Sequence, residues 1–282
     1  MADKTSILRV HLIPAFGQKR LDAITTENVQ QLKARLKDRA QKTVNNVLTV
    51  LNVLLKTAVE WKVIETHPCN VRLVKVPRTR AAFHDFAAYV RLLENARQLG
   101  QNAYLVALLG GRAGLRCGEM MALQWKDINL ETGTITVKRS DWKGHVTTTK
   151  GGCERSVPMP GQLWNALRLH QHLRGSHVLT GKDGQPLTQK MVQTLMARAA
   201  RRAKVPAGIH ILRHTYCSHL AMRGGSARSI QELAGHQNLT TTQRYMHLTP
   251  ATLEATVRLF DQAQNAPAGG DIVETGSERR SN

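Results

Sequence analysis

The chain has 282 residues, with forty Lys and Arg against twenty Asp and Glu and a formal charge of +20, which gives a sequence pI near 10.5. That length holds one large domain or two smaller ones, each with a core of its own, and the basic excess calls for a polyanionic partner, nucleic acid ahead of an anionic membrane. No run approaches the ~18 consecutive apolar residues of a membrane span and no basic-then-apolar leader opens the chain, so the expectation is a soluble, unsecreted protein with no membrane partner.

The first third reads as helical. Val29, Leu32 and Leu36 recur at helical spacing behind Thr25 or Thr26 as N-cap, and Val44, Val47, Leu48, Leu51, Leu55 and Ala58 form a longer stripe ending near Trp61. Lys33, Arg35, Lys37, Arg39, Lys42 and Lys56 lie off these stripes. Singly each is a solvated side chain; their shared sign suits contact with a nucleic-acid backbone. Val74-Lys75-Val76-Pro77-Arg78-Thr79-Arg80 is basic, carries a proline and lacks periodicity, so it reads as a linker between domains.

Helical spacing resumes with Phe86, Tyr89, Val90 and Leu93, then the apolar run from Tyr104 to Leu109. Between Asp127 and Pro160 the texture changes: Thr134-Ile135-Thr136-Val137 alternates, and Gly144 and Gly151-Gly152 mark turns. This predicts a small antiparallel sheet whose hairpin tip carries Lys150. Helices return, capped by Thr188 ahead of Met191, Val192, Leu195 and Met196, with Lys190, Arg198, Arg201, Arg202 and Lys204 on the other face. Ser226 caps a helix with Ile230 and Leu233, and Thr249-Pro250 opens a last one through Leu253, Val257 and Leu259. From about Gln264 the Ala, Gly, Pro and Ser content predicts disorder. The fold class is therefore mainly α with a small antiparallel β-sheet.

Cys69, Cys117, Cys153 and Cys217 form no Cys-x-x-Cys pair, which fits free thiols in a reducing cytoplasm better than a disulfide framework or a zinc knuckle. Four Tyr, four Phe and four Trp are too few for a base-stacking platform. What the chain does concentrate is Arg116, Arg213, His210, His236 and Tyr245. Arginine forks match phosphate oxygens, histidine moves protons near neutral pH, and tyrosine can become a covalent nucleophile. That set suits attack on a phosphodiester.

Gly114-Leu115-Arg116-Cys117-Gly118-Glu119, His210-Ile211-Leu212-Arg213-His214-Thr215, and Leu233-Ala234-Gly235-His236 with Tyr245-Met246-His247 nine residues on resemble, in this order, the motifs of the tyrosine recombinases, or phage integrase family. Thr149-Lys150 between the first two strengthens the match. Residues 8–70 resemble the family's helical core-binding domain in Leu12-Ile13-Pro14-Ala15-Phe16-Gly17, Lys42-Thr43-Val44-Asn45 and His67-Pro68. The resemblance implies a core-binding DNA-binding domain at 1–75, a linker at 76–82, an α+β tyrosine recombinase catalytic domain at 83–262 and a disordered tail at 263–282. Many integrases begin with an additional arm-binding domain, whereas this sequence opens almost directly in the core-binding segment, which puts dependence on distant arm sites in doubt.

By the same resemblance, Arg116 and Arg213 are the paired phosphate-binding arginines and Tyr245 the nucleophile that forms a 3′-phosphotyrosyl link. His210 holds the acid–base position, His236 that of the second histidine, and Lys150 that of the general acid on a mobile hairpin, with Lys138 and Lys143 as competitors. Glu119 orients its motif, His214 reads as a structural helix residue and His247 as an accessory, and Tyr216 is the one rival nucleophile. The partners implied are double-stranded DNA and a homotetramer on two duplexes, a dimer per site, in the cytoplasm with the nucleoid. Energy is kept in the covalent intermediate, so no cofactor or metal is expected, and no nucleotide-binding Gly-x-x-x-x-Gly-Lys-Ser/Thr loop is present. His210 and His214 have zinc-helix spacing, but Ile211 stands where His-Glu-x-x-His needs its glutamate. The rival readings are a type IB topoisomerase, a non-catalytic DNA-binding regulator, and a metal-dependent nuclease, for which clustered carboxylates are missing.

Overall fold

Pro14, with no N–H to donate, interrupts the first helix: α1 (Ala2–Ile7) passes through a π-helical stretch, Leu8–Leu12, into α2 (Ile13–Phe16). The structure is a computed structural model that describes residues 2–77, 81–142, 144–148, 154–171, 175–181 and 183–246. It divides into two compact units, Met1–Thr79 and Arg80–Asn282.

In the first unit, α3 (Thr26–Arg35) starts at a capping box: Thr25 Oγ1 accepts from the Asn28 N–H at 3.3 Å while Asn28 Oδ1 accepts from the Thr25 N–H at 3.2 Å. Helix α4 (Gln41–Glu60) buries all six residues of its apolar stripe, Val44 through Ala58. Five of them join Leu12, Ile24, Val29, Leu32 and Leu36 in one core, each large aliphatic contributing about 1.5–3 kcal/mol. Lys37, Arg39, Lys42 and Lys56 are exposed and Lys33 half-buried. The segment read as a linker begins inside this unit, because the Asn45 amide takes the Val74 N–H and donates to the Val74 carbonyl, both at 2.8 Å.

In the second unit, α5 (Phe86–Leu99) is capped by Asp85 Oδ1, which accepts from the Ala88 N–H at 2.7 Å. Its buried stripe is Ala88, Tyr89, Leu92, Leu93 and Ala96. Phe86 and Val90, which the spacing assigned to the core, are 39% and 47% exposed. Phe86 instead stacks on His219 with ring centroids 4.1 Å apart. Helix α6 (Gln101–Arg112) is apolar nearly all round and runs through the core. A Cβ on its Gly110 would sit 2.7 Å from the Leu212 Cβ, so glycine there lets a later helix pass close.

After α7 (Cys117–Met121) come β1 (Ile128–Asn129), β2 (Thr134–Val137), β3 (Arg139–Trp142), β4 (His145–Thr148) and β5 (Arg155–Pro158). Strands β1, β2 and β5 make a three-stranded antiparallel sheet, with Ile135 opposite Val157 and Val137 opposite Arg155. Ile135, Val137 and Val157 are buried, and the pleat puts Arg155 on the same inward face. Strands β3 and β4 form a separate hairpin that closes between Trp142 and His145, where Gly144 takes φ +83° and donates its N–H to Asp141 Oδ1 at 2.8 Å. Gly144 makes the turn of this hairpin; the other expected turn, at Gly151-Gly152, is not among the described residues. Lys150 lies outside the described residues, as do Lys143, His247, the Thr249-to-Leu259 segment and the tail.

The remaining helices are α8 (Gly161–His170), α9 (Gln189–Ala203), α10 (Ile209–Met222), α11 (Ala227–Ala234) and α12 (Leu239–Gln243). Thr188 and Ser226 cap α9 and α11 by accepting N–H bonds from Met191 and Ser229. On α9, Val192 and Met196 are buried while Met191 is 45% exposed, and Lys190, Arg198, Arg201 and Arg202 are all exposed. Among the described residues no helix is long and apolar enough to cross a membrane.

Helix α10 is tied to the start of the unit. The Thr215 hydroxyl accepts from the His84 N–H at 2.9 Å, and His219 Nε2–H donates to the His84 carbonyl at 2.9 Å. Burial, with Arg112 and Arg223 nearby, holds the His219 imidazole down at about 4, against an ordinary 6.5. A folded value below the unfolded one means the unfolded chain binds the proton first, so this stability is present above pH 6.5 and lost as pH falls toward 4. Replacing His219 with Gln should flatten the pH slope of unfolding free energy across that window by about one proton, ~1.4 kcal/mol per pH unit. Denaturant titrations at several pH values read this, and an unchanged slope would contradict it.

Candidate active site

Helix α11 ends at Gly235, which takes the left-handed conformation at φ +64°. The His236 N–H returns to the Gln231 carbonyl and the Gly235 N–H to that of Glu232, both at 3.0 Å, closing a Schellman-type cap. The next three carbonyls, of Leu233, Ala234 and Gly235, have no helical partner. Each receives an arginine. Arg155 Nε–H donates to Leu233 at 3.0 Å, Arg213 Nη2–H to Ala234, and Arg116 Nη2–H to Gly235 at 2.8 Å. The negative end of the helix dipole favours cations there. Leu-Ala-Gly-His is therefore a helix terminator that presents three acceptors in a row.

Arg116 reaches this point from the N-cap of α7. The preceding Gly114 has φ +65°, and a Cβ on it would lie 2.4 Å from Tyr216 Cδ1, so only glycine allows this turn over that ring. Its carbonyl accepts from Arg213 Nη1–H at 2.5 Å. Glu119 joins the arginines. Its Oε2 accepts from the Arg116 N–H at 2.8 Å and from Arg155 Nη2–H at 2.6 Å, and its Oε1 from Arg116 Nη1–H at 2.7 Å and Arg155 Nη1–H at 3.0 Å. Burial alone would raise this carboxyl, but the Arg155 hydrogen bond and charge, and then Arg116, hold it at about 2. Burial and the neighbouring Arg116 bring Arg213 down to about 10, still cationic at neutral pH. Three guanidiniums against one carboxylate leave a local positive excess. Each guanidinium has five N–H donors, and the two bonds named for Arg116 and for Arg213 side chains leave donors for an anion.

Tyr245 stands in the turn after α12 and is 6% exposed. It shares a small cluster with Tyr216, Cys217, Ile230 and Ala234. Its hydroxyl lies 2.6 Å from His214 Nδ1. The His236 ring is stacked on the phenol at 6.1 Å and 12°, with Nδ1 bonded to Thr242 Oγ1 at 2.9 Å. Burial, followed by Arg213, Arg116 and Arg155, lowers His236 to about 4, so its ring is neutral at physiological pH. Burial raises the Tyr245 phenol to about 12, with Cys217 adding to this and Arg213 opposing it. Tyr216 is likewise raised to about 12 by burial and packs beneath Gly114.

Of the six residues singled out in the sequence, the fold gathers Arg116, Arg213, His236 and Tyr245. His210 is exposed in the first turn of α10, one turn ahead of His214, and makes no hydrogen bond to Tyr245 among the described residues. Lys150 lies outside them. Two residues of the cluster were not read as such. Arg155 was not singled out, although it shares the inward-facing parity of Val157 in the strand. His214 was read as structural, although it follows Arg213 directly and lies one turn from His210. Thr242, fully buried against His236, carried no signal in the sequence.

Residues 83–252 match the family model described as the phage integrase family. Tyrosine recombinase XerC of Xanthomonas campestris pv. campestris (strain B100) is 34% identical over 194 residues, covering 66% of this chain and 57% of that protein. The chain thus spans little more than half of that relative's length. The ICEBs1 integrase of Bacillus subtilis (strain 168) is 27% identical over 86% of this chain and 72% of its own length. Among solved structures, the Tn1549 transposon integrase with a circular intermediate DNA superposes with a TM-score of 0.79 at 20% identity, over 92% of each chain. A lambda integrase tetramer bound to a Holliday junction gives 0.69 at 18% identity, over 87% of this chain and 71% of that one. At these identities the structural likeness is one of fold.

Glu119 is the counter-charge of two arginines, and removing one partner of a buried ionic group costs about 3–5 kcal/mol. Glu119→Gln should lower the unfolding free energy by that order in urea titrations at pH 7. Because the folded carboxyl titrates at about 2 against an ordinary 4.5, the wild type should lose this advantage as pH falls through that interval, and the variant should not. Equal stabilities at pH 7 would show that the carboxylate does not hold the arginines.

Proposed function

This chain belongs to the phage integrase family, and from that membership we propose that it is a site-specific DNA recombinase, cutting and rejoining strands through a 3′-phosphotyrosyl intermediate and a Holliday junction. The observation that carries this reading is the bundling of Arg116 and Arg213 at the end of α11, in the unit that also holds Tyr245 stacked on His236.

In-line attack on a phosphodiester adds negative charge to the non-bridging oxygens. Arg116 and Arg213, already fixed by carbonyls and Glu119, meet that charge without reorganising. Tyr245 attacks phosphorus; the bond to the 5′ oxygen breaks; the leaving oxygen takes a proton from Lys150, assigned by its place in the motif. His236, with Nδ1 held by Thr242, keeps Nε2 for a phosphate oxygen. His210 takes the family's acid–base position at the phosphate. The exchange conserves bond energy, which is why neither ATP nor a metal enters the scheme.

The first unit, with Lys37, Arg39, Lys42 and Lys56 exposed, serves as a core-binding domain, so that both units hold one duplex. Two such duplexes carry a tetramer, a dimer on each; the lambda integrase structure is likewise a tetramer bound to a Holliday junction. The element exchanged between neighbours is the amphipathic stretch after Thr249.

Two experiments test the chemistry on a nicked suicide duplex drawn from the DNA that flanks the gene. Tyr245→Phe should bind it with nearly unchanged affinity and form no covalent adduct, whereas Tyr216→Phe should still form one; the reverse pattern would move the nucleophile to Tyr216. Recombination between two such sites separates a recombinase from a topoisomerase, and an absent adduct leaves only a DNA-binding regulator. For the leaving-group acid, Lys150→Ala should slow cleavage by roughly a hundredfold or more. Sulfur at the bridging 5′ position, which leaves without a proton, should restore it while doing little for Arg116→Ala. Rescue of Lys138→Ala or Lys143→Ala in place of Lys150→Ala would assign the acid elsewhere.

A further inference from the structure

Two histidines meet the Tyr245 phenol, in different ways. His236 presents its ring face, stacked within 12° of parallel, and its Nδ1 is engaged with Thr242. His210 is exposed one turn earlier. Among the described residues only His214 is hydrogen-bonded to the reacting oxygen, with Nδ1 2.6 Å from the hydroxyl. Its backbone lies within helix α10. Leu212, Arg213 and Thr215 beside it are buried, and Thr215 fastens this part of α10 to His84.

We propose that His214 is the proton acceptor for the Tyr245 hydroxyl during strand cleavage and the proton donor back to it on rejoining. The inference rests on Tyr245 being the nucleophile. In the forward step the Tyr245 oxygen bonds to phosphorus as its proton passes to His214 Nδ1, and the phosphorus–O5′ bond breaks with its electron pair leaving on O5′, which the general acid protonates. Rejoining reverses each transfer: the 5′ hydroxyl attacks, and the phenolate leaves by taking the proton from His214. One helix then carries the phosphate-binding Arg213 and the base at successive positions, so the two parts are set by a single rigid element.

The chemistry needs a neutral imidazole with Nδ1 bare and the ring proton on Nε2. Burial, then His210, Arg213 and Arg244, lowers the His214 pKa, which favours the neutral form at physiological pH. His210, Arg213 and Arg244 are the charged and titratable groups that bear on it, alongside Tyr245 itself and the His236 ring, and no carboxylate contributes to its shift. A phenol pushed up to about 12 loses its proton to solvent only rarely at pH 7, so a base at this position has a real task.

The test compares wild type with His214→Gln, whose amide can bond the phenol but cannot take its proton, in single-turnover cleavage of the same nicked duplex. The expected result is unchanged DNA binding and a rate about a hundredfold lower at pH 7. The variant's rate should climb roughly tenfold per pH unit through neutrality, where the wild type is level, because hydroxide has replaced the base. A wild-type rate, or a loss equal at every pH, would overturn the proposal and leave His214 a structural partner of the phenol. A second readout needs no substitution: nitrogen NMR of His214 in the DNA-free protein should find Nδ1 unprotonated, and a proton on Nδ1 would equally overturn it. If the wild type itself forms no adduct through Tyr245, the failure lies with the recombinase reading, whatever the histidine does.

Discussion

Three successive carbonyls at the end of α11 hold the second unit's active face together. A helix leaves its last carbonyls without partners, and here that deficit is met by guanidiniums from a strand, a helix and an N-cap: Arg155, Arg213 and Arg116. The Schellman turn at Gly235 takes care of the two carbonyls before them, which is what leaves these three pointing outward. Because α11 is continuous, the spacing of the carbonyls sets the spacing of the arginines. Anything that unwound its last turn would scatter the cations as well as fray a helix.

Like charges so close would repel in a buried setting, and Glu119 is the answer to that problem. Its two oxygens are shared by Arg116 and Arg155 and by the Arg116 backbone N–H, so one carboxylate both caps α7 and neutralises part of the cluster. Among the described residues Arg213 has no carboxylate contact of this kind and is held by neutral carbonyls. That leaves its full charge for an incoming anion. Arg155 is anchored on both sides and mainly braces the others, while Arg116, its side chain 30% exposed, retains access to solvent.

The nucleophile's side of the site is built differently. Tyr245 hangs from a five-residue helix and a turn, a slight support compared with α10. Its ring is fixed by burial and by His214 and His236. A group held by a few contacts at the end of a short element can move at lower cost than one seated on a long helix. This division sets rigidly held cations beside a phenol whose own support is slight and whose position depends on its histidine contacts.

Much of this was written in local sequence. Helical periodicity and the caps at Thr25, Thr188 and Ser226 are near-neighbour effects, and the helices begin where those residues allow. The Gly-Leu-Arg, His-x-Leu-Arg and Leu-Ala-Gly-His motifs likewise carried Arg116, Arg213 and His236, the first and last of them encoding a local turn and a helix cap. Periodicity was less able to say which of two adjacent faces of α5 turns inward, because Phe86 and Val90 are as apolar as the residues that won; their exposure follows from where His219 and the core lie. Gly144 was a bare turn signal in the sequence, and the pairing of Asp141 with Val146 is what makes it the β3–β4 turn; the Gly151-Gly152 signal falls outside the described residues. Arg155 and His214 needed the tertiary structure outright. The Arg116 bond to Gly235 spans 119 residues and that of Arg155 to Leu233 spans 78, so only the packed chain decides which guanidinium meets which carbonyl, and only that packing brings a helix histidine to within one hydrogen bond of a tyrosine 31 residues away.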